Sequence, residues 1–145
     1  MSDVTRPNGL NLAAIRPRLE TLGAALVKAC DGIEFAYLFG SAAGGKLTPH
    51  SDVDIAIHLE DRVDGAWARL EAARAASLHL GTDAVDLVVL NTAPLALAGR
   101  ILMGRHVILD RVPFRRHAYE SATARMFYDF RVREQRLLSA RFGRG

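Results

Sequence analysis

The most constraining feature of this 145-residue chain is the segment at residues 40–54, which reads GSAAGGKLTPHSDVD. A glycine–serine pair, Gly40 and Ser41, ends one apolar run, and Asp52 and Asp54 open a second. Because alternate residues of a strand point to the same face, we expect both carboxylates to project together where the second strand begins. The segment therefore predicts two strands joined by a glycine-containing loop, with paired acids at the mouth of the second strand.

These residue types indicate a site for a metal and a phosphate. Two carboxylates held this close repel each other, and hard Mg²⁺ takes oxygen ligands and bridges to phosphate oxygens. The glycine turn allows backbone N–H groups to approach a phosphate, and Ser41 adds a hydroxyl donor. The simpler interpretation is a solvated turn followed by an acid-capped strand.

A third acid lies in the apolar run at residues 84–90, where Asp86 is the single charged residue. An acid inside a buried strand is costly unless it is paired or bound to a metal. Asp86 shares a strand face with Val88 and Leu90, as Asp52 and Asp54 share one with Ala56. We expect Asp86 to join the paired acids; the alternative is an Asp bonded to backbone amides at a strand edge.

The spacing resembles the signature of the minimal nucleotidyltransferases of the polymerase-β superfamily. That signature is Gly-Ser, ten residues, then Asp-x-Asp, with a glycine inside the gap and a serine before the first acid. Its positions are all matched here, by Gly40, Ser41, Gly45, Ser51, Asp52 and Asp54. One departure is Gly44, which stands where members often carry an arginine.

A narrower resemblance covers nearly the whole chain. The order Val85-Asp86-Leu87-Val88, Leu90-Asn91, Pro94 and Gly104 is similar to MntA-type antitoxins, which pair with HEPN ribonuclease toxins in type VII toxin–antitoxin systems. The resemblance implies transfer of AMP from ATP to a tyrosine hydroxyl of the toxin, which neutralises it. The partner would be the cognate HEPN toxin, held in a hetero-oligomer.

The same resemblance assigns roles to residues. Gly40 and Ser41, with Gly45 and Ser51, would bind the triphosphate of the ATP substrate. Asp52, Asp54 and Asp86 would hold Mg²⁺, with two ions expected, and Asp86 would accept the proton of the incoming hydroxyl. Two other functions stay open: adenylylation of a small molecule such as an aminoglycoside, and neutralisation of a partner by binding without catalysis.

The order of apolar patterns predicts an α/β (α+β) fold, a small mixed β-sheet flanked by helices, in a single nucleotidyltransferase domain over residues 1–145. Helix 12–29 is expected to kink at Pro17 or to begin near Arg16. The predicted strands are 35–39, a strand that begins at Val53, 85–90 and 106–110. The other predicted helices are 64–79, 94–103 and a long Arg-rich helix at about 113–140. In helix 64–79, we expect Trp67, Leu70, Ala73 and Leu78 to face the core.

Composition limits the class of protein. No uninterrupted apolar stretch approaches membrane-spanning length, and the single Cys30 cannot form an internal disulfide, so we expect a cytoplasmic protein without membrane association. Residues 111–145 contain nine Arg and three acids, a net charge of +6, whereas the whole chain has a net charge of +3. Because large apolar residues alternate with these arginines, we predict a protein partner for this segment and no direct nucleic-acid binding.

Overall fold

The computed structural model describes residues 9–142, and its centre is a four-stranded mixed sheet. The strands are β1 (Ile33–Phe39), β2 (Val53–Leu59), β3 (Val85–Val89) and β4 (His106–Asp110), in the order β3-β2-β1-β4. β1 pairs antiparallel with β2 and β4, while β2 and β3 pair parallel. This confirms the predicted small mixed sheet with the last strand at an edge.

Helices cover both faces of the sheet, which confirms the predicted fold class. They are α1 (Leu12–Leu19), α2 (Leu22–Ala29), α3 (Gly40–Ala43), α4 (Gly65–Leu80), α5 (Leu95–Met103) and α6 (Pro113–Phe142), with a 3₁₀ turn at Leu90–Thr92. α1, α2 and α4 share one core with the sheet, whereas α5 and α6 pack on a second core around Phe35 and Tyr37. That the whole of residues 1–145 is one domain stays a prediction, since 1–8 and 143–145 lie outside the described residues.

The N-terminal helix differs from the prediction. It begins at Leu12, where the Asn11 side chain accepts a hydrogen bond from the Ala14 N–H, so Pro17 lies inside α1. The break comes later, between α1 and α2, at Thr21. Its hydroxyl donates to the Arg18 carbonyl (3.3 Å) and lies 2.7 Å from Nε2 of His79 on α4. A contact across 58 residues therefore fixes the break.

The prediction for the core face of α4 was wrong. Its buried side chains are Ala68, Ala72, Ala76 and Leu80. Trp67, Leu70 and Leu78 instead lie on the outer face, between 51% and 71% exposed, and Ala73 is partly buried. The small inner side chains let the helix axis approach the sheet closely, which large side chains at the same positions would prevent.

A buried polar cluster attaches α6 to the sheet. The Tyr37 hydroxyl donates to the Glu120 carboxylate (2.7 Å), and Arg105 and Arg116 donate to the same group at 2.9 and 3.0 Å. Burial alone would raise the pKa of Glu120, but these hydrogen bonds hold it below its usual value. The first half of α6 is therefore firmly attached to the domain.

The second half of α6 extends beyond the domain, because the helix is about 45 Å long. From Tyr128 to Arg141 every residue is exposed except the half-buried Val132. Within the described residues, no helix combines the length and apolar character that crossing a membrane requires.

Candidate active site

The paired strands β2 and β3 bring two of the predicted acids together. Asp54 and Asp86 are Cα partners in the parallel ladder, where adjacent strands lie about 4.8 Å apart. Asp54 is half-buried at the start of β2, while Asp86 and Asp52 are exposed. The register thus brings Asp54 and Asp86 side by side, as expected, whereas Asp52 precedes β2, and the metal and catalytic roles of all three acids stay predictions.

The three carboxylates act on one another electrostatically. Burial, and then the negative charges of Asp86 and Asp52, raises the pKa of Asp54 to about 6. No residue of the range 9–142 donates a hydrogen bond to the Asp86 carboxylate, which argues against the alternative of an acid bonded to backbone amides. The charges of Asp86 and Asp52 thus make ionisation of Asp54 less favourable than it would be in water.

Gly40 lies at the end of β1 and borders Asp54 on the side away from β3. Phe39 pairs with Asp54, so the glycine turn begins directly beside that acid. Gly40 has φ +64°, and a β carbon there would lie 2.4 Å from Oδ2 of Asp54. This position therefore requires glycine both for its backbone conformation and for the space that the carboxylate occupies.

The loop after Gly40 folds back on itself. The Gly44 N–H donates to the Gly40 carbonyl (3.4 Å), and the Lys46 N–H donates to the Ser41 carbonyl (2.9 Å). Gly45 has φ +68°, but a β carbon there would meet no atom within 4 Å. A side chain at Gly44 would meet only ordinary contacts, the nearest being the Lys46 stem at 3.9 Å, so the fold has room for the arginine common at this place.

Ser51 lies in a turn just before β2. Its N–H donates to the Thr48 carbonyl, and its hydroxyl oxygen accepts from the Thr48 N–H, both at 3.0 Å. These bonds fix the chain entering β2 and so the position of Asp52 and Asp54. Direct contact between Ser51 and a nucleotide stays a prediction.

The chemistry of the acid cluster fits a divalent cation. Carboxylate oxygens are the ligands that Mg²⁺ prefers, and a cation would offset both the burial and the repulsion that raise the pKa of Asp54. Among residues 9–142, however, no three His, Cys, Asp or Glu side chains lie close enough together to form a metal site. The donor types match the ion, and its binding belongs to the proposal below.

Two side chains to which the sequence assigned no role hold the strands of the site, Asn91 at the end of β2 away from Asp54 and Arg69 beside Asp86. Asn91 donates to the Leu59 carbonyl and accepts from the Leu59 N–H, each at 2.9 Å, which fixes the end of β2. Arg69 on α4 donates to the Leu87 carbonyl of β3 (3.2 Å), next to Asp86. Asn91 was part of the matched pattern, whereas an isolated Arg on a helix carries no sequence signal.

The family assignment follows from a profile match. The family described as "Polymerase beta, Nucleotidyltransferase" matches residues 22–113, which is more than half of the chain and includes all the acids above. The chain belongs to this nucleotidyltransferase family. No curated protein matches the sequence.

Several solved structures with the same fold are toxin–antitoxin complexes. A toxin–antitoxin with AMP-PNP superposes with a TM-score of 0.69 at 25% identity, covering 83% of this chain and 96% of that one. The MntA-HepT toxin–antitoxin gives 0.65 at 22% identity, over 86% and 97% of the two chains. The tri-AMPylated Shewanella oneidensis HEPN toxin in complex with MNT antitoxin gives 0.65 at 22%, over 86% and 96%. At 22% identity, the last two show a shared fold for this nucleotidyltransferase.

Proposed function

We propose that this nucleotidyltransferase is a protein adenylyltransferase that transfers AMP from ATP to a tyrosine hydroxyl of a cognate HEPN ribonuclease toxin and so neutralises it. The observation that carries the proposal is the position of Asp54, which lies against the Gly40 turn, is paired with Asp86 and is affected by the charges of Asp86 and Asp52. In the proposed reaction, the backbone N–H groups of the Gly40 turn bind phosphate beside these carboxylates. A cytoplasmic location, where ATP is abundant, is part of the proposal.

Support for the substrate and the partner comes from the structural neighbours. One of them contains AMP-PNP, an ATP analogue, and another contains a tri-AMPylated HEPN toxin with its MNT antitoxin. The chain spans nearly the full length of both matched proteins. We therefore infer a hetero-complex with a HEPN toxin, which is both the binding partner and the acceptor of AMP.

In the proposed reaction, the Gly40–Ser41 turn binds the triphosphate through backbone N–H groups and the Ser41 hydroxyl. The acceptor hydroxyl oxygen bonds to the α-phosphorus, and the bond from that phosphorus to the bridging oxygen of the β-phosphate breaks. Pyrophosphate leaves, and the hydroxyl proton passes to Asp86. Positioning and charge stabilisation carry most of the catalysis in such phosphoryl chemistry.

Asp52, Asp54 and Asp86 would hold Mg²⁺, which when bound neutralises the charge that develops on the phosphate oxygens. Asp54 and Asp86 would then have separate tasks. Asp54, the most buried of the three, lies between Gly40 and Asp86. Asp86 lies on the edge strand β3, where an acceptor can reach it. This difference in position is the reason to assign the base to Asp86.

The test is transfer of label from α-labelled ATP to the purified toxin, followed by mapping of the modified residue. Label on a toxin tyrosine, dependent on Mg²⁺, is expected. Label on an aminoglycoside and none on the toxin would favour the small-molecule function. Neutralisation of the toxin without label on the toxin would identify an antitoxin that acts by binding alone.

Substitution of Ser41 by Ala should impair the reaction without abolishing it. A hydrogen bond to a charged group contributes about 1.5–3 kcal/mol, so we expect kcat/KM for ATP to fall roughly tenfold to a hundredfold. Steady-state kinetics at limiting ATP measure this. Ser121→Ala, an exposed serine on α6, is the matched control. Equal kinetics for the two variants would remove Ser41 from the triphosphate site.

Deletion of residues 131–145 should weaken toxin binding at least tenfold and leave the domain folded. The Glu120 cluster and the packing of Phe127 on Gly99 both precede the deletion, whereas the exposed large apolar residues Leu137 and Leu138 lie within it. Arg is enriched at the centres of interfaces, and exposed apolar side chains among the arginines add a surface that a protein partner can bury.

Titration of the toxin at low and high ionic strength tests this prediction. An apolar interface should depend only modestly on salt, whereas binding to nucleic acid weakens steeply as salt rises. Full toxin binding by the truncated chain would disprove the role of the segment. Tight, salt-sensitive DNA binding by the intact chain would reassign it.

A further inference from the structure

We infer that the acceptor polypeptide binds in an extended conformation along the free edge of β3, in a groove that ends at Asp86 and is anchored by Arg69. This inference rests on the proposed function and adds to it the surface that selects the acceptor. The groove has a volume of about 690 Å³ and is lined by β3, the first turns of α4 and the start of α5. It is here called the β3 groove.

The position of the β3 groove follows from the sheet order. β3 is the terminal strand, so one of its edges pairs with β2 and the other faces the groove. Unpaired backbone groups on an edge strand are a template for an added strand. The Leu87 carbonyl accepts a hydrogen bond from Arg69 on this side, which shows that groups outside the sheet reach the backbone of this edge.

The geometry of the reaction points to the same side. The Gly40 turn lies against Asp54 from the β1 side, so a triphosphate bound there has its leaving pyrophosphate on that side. Attack at the α-phosphorus is roughly in line with the leaving group, which places the nucleophile opposite. In the order β3-β2-β1, the opposite side is β3, and Asp86 is the acid that lines the groove.

The size and charge of the β3 groove fit a peptide segment. Pockets of 300–1,000 Å³ typically enclose a drug-sized ligand, so about 690 Å³ holds a tyrosine side chain together with its neighbours. Arg69 uses Nε for the Leu87 carbonyl, and no other hydrogen bond or ion pair joins it to residues 9–142. Its two terminal nitrogens are therefore available to a carbonyl or carboxylate of the incoming segment.

Two substitutions of groove residues test the inference. Ala66 is exposed on the first turn of α4 and lines the groove, so Ala66→Trp would fill it. We expect the KM for the toxin to rise at least tenfold while the KM for ATP stays unchanged. Leu78→Trp, on the outer face of the same helix, is the matched control and should alter neither constant.

Arg69→Ala should likewise raise the KM for the toxin about tenfold, and Arg69→Lys should give an intermediate value because it keeps the charge and loses the planar fork. Arg74→Ala, an exposed Arg on the same helix, is the control. Thermal melting identifies any variant that fails to fold, and either groove position alone suffices for the test.

The outcomes separate this inference from the proposed function. If the wild-type protein labels the toxin and both groove variants label it with unchanged KM, the β3 groove is not the acceptor site while the proposed function stands. If the wild-type protein labels no toxin, or labels only an aminoglycoside, both are overturned. A selective rise in the KM for the toxin in Ala66→Trp and Arg69→Ala supports the inference.

Discussion

Asp54→Asn is expected to lower AMP transfer by a hundredfold to a thousandfold or more. The asparagine keeps the shape of the side chain and removes the charge that would hold Mg²⁺, and stabilisation by a catalytic metal is worth several kcal/mol, with each ~1.4 kcal/mol a factor of ten. Single-turnover transfer from labelled ATP at saturating Mg²⁺ measures the loss.

The same substitution should stabilise the protein when no divalent cation is present. The pKa of Asp54 is about 6 in the folded protein, against 3.8 for the ordinary group. Below pH ~4 both folded and unfolded chains hold the proton, so wild type and variant differ least. As pH rises through 6, the unfolded chain releases its proton first and the wild-type protein loses stability.

The expected size of this stabilisation is modest because Asp54 is only half-buried. Solvent screening reduces the contribution to about 1 kcal/mol, which corresponds to a rise in Tm of roughly 4 °C above pH 7. Melting in EDTA at acidic and neutral pH measures it. Asp83→Asn, in the turn before β3, is the control and should change neither activity nor the pH profile.

Two results would contradict this account of Asp54. Transfer at near wild-type rate in Asp54→Asn would show that the acid cluster is not the catalytic centre. An equal change in Tm at both pH values would show that the pKa of Asp54 is not raised by burial and by the charges of Asp86 and Asp52. The first result tests the catalytic role of Asp54 and the second tests its raised pKa, so either claim can be disproved without the other.

The nearness of Asp54 and Asp86 could be predicted from the sequence because it depends on short-range rules. Asp52 and Asp54 are two residues apart, so strand alternation predicts a shared face, although β2 itself begins at Val53. Asp86 interrupts an apolar run, which made it conspicuous. The pairing of Asp54 with Asp86 then required only that the two strands be neighbours in parallel register, as they are.

The face of α4 could not be predicted in the same way. Trp67, Leu70 and Leu78 form one apolar stripe, and the alanines Ala68, Ala72 and Ala76 form another on the opposite side. Hydrophobicity favours the larger residues for the core, but the short distance between helix and sheet selects the smaller ones. That distance is a property of the packed domain and is not encoded in the periodicity of the helix.

Contacts between distant parts of the chain explain the other differences. Thr21 meets His79 only after α1, α2 and α4 pack together, so the helix break beside Thr21 has no local signal comparable to Pro17. Arg69 gains its position from a bond to the Leu87 carbonyl, 18 residues away. Residues of this kind become candidates for function only when the surfaces around them are known.

Gly40→Ala should reduce AMP transfer by about a hundredfold or more. The new β carbon would lie 2.4 Å from Oδ2 of Asp54, so the carboxylate must move, and misplacement by 1 Å costs roughly a hundredfold in well-oriented reactions. The positive φ of Gly40 adds a loss of stability of about 1–2 kcal/mol.

The other glycines of the loop separate these two effects. Gly45 has nearly the same φ but open space around it, so Gly45→Ala carries the backbone strain without displacing Asp54. Gly44 has φ −86° and ordinary surroundings, so Gly44→Ala carries neither. We expect a similar fall in Tm for Gly40→Ala and Gly45→Ala, with a much larger loss of kcat for Gly40→Ala. Equal losses of kcat would mean that loop strain, and not the position of Asp54, controls the reaction.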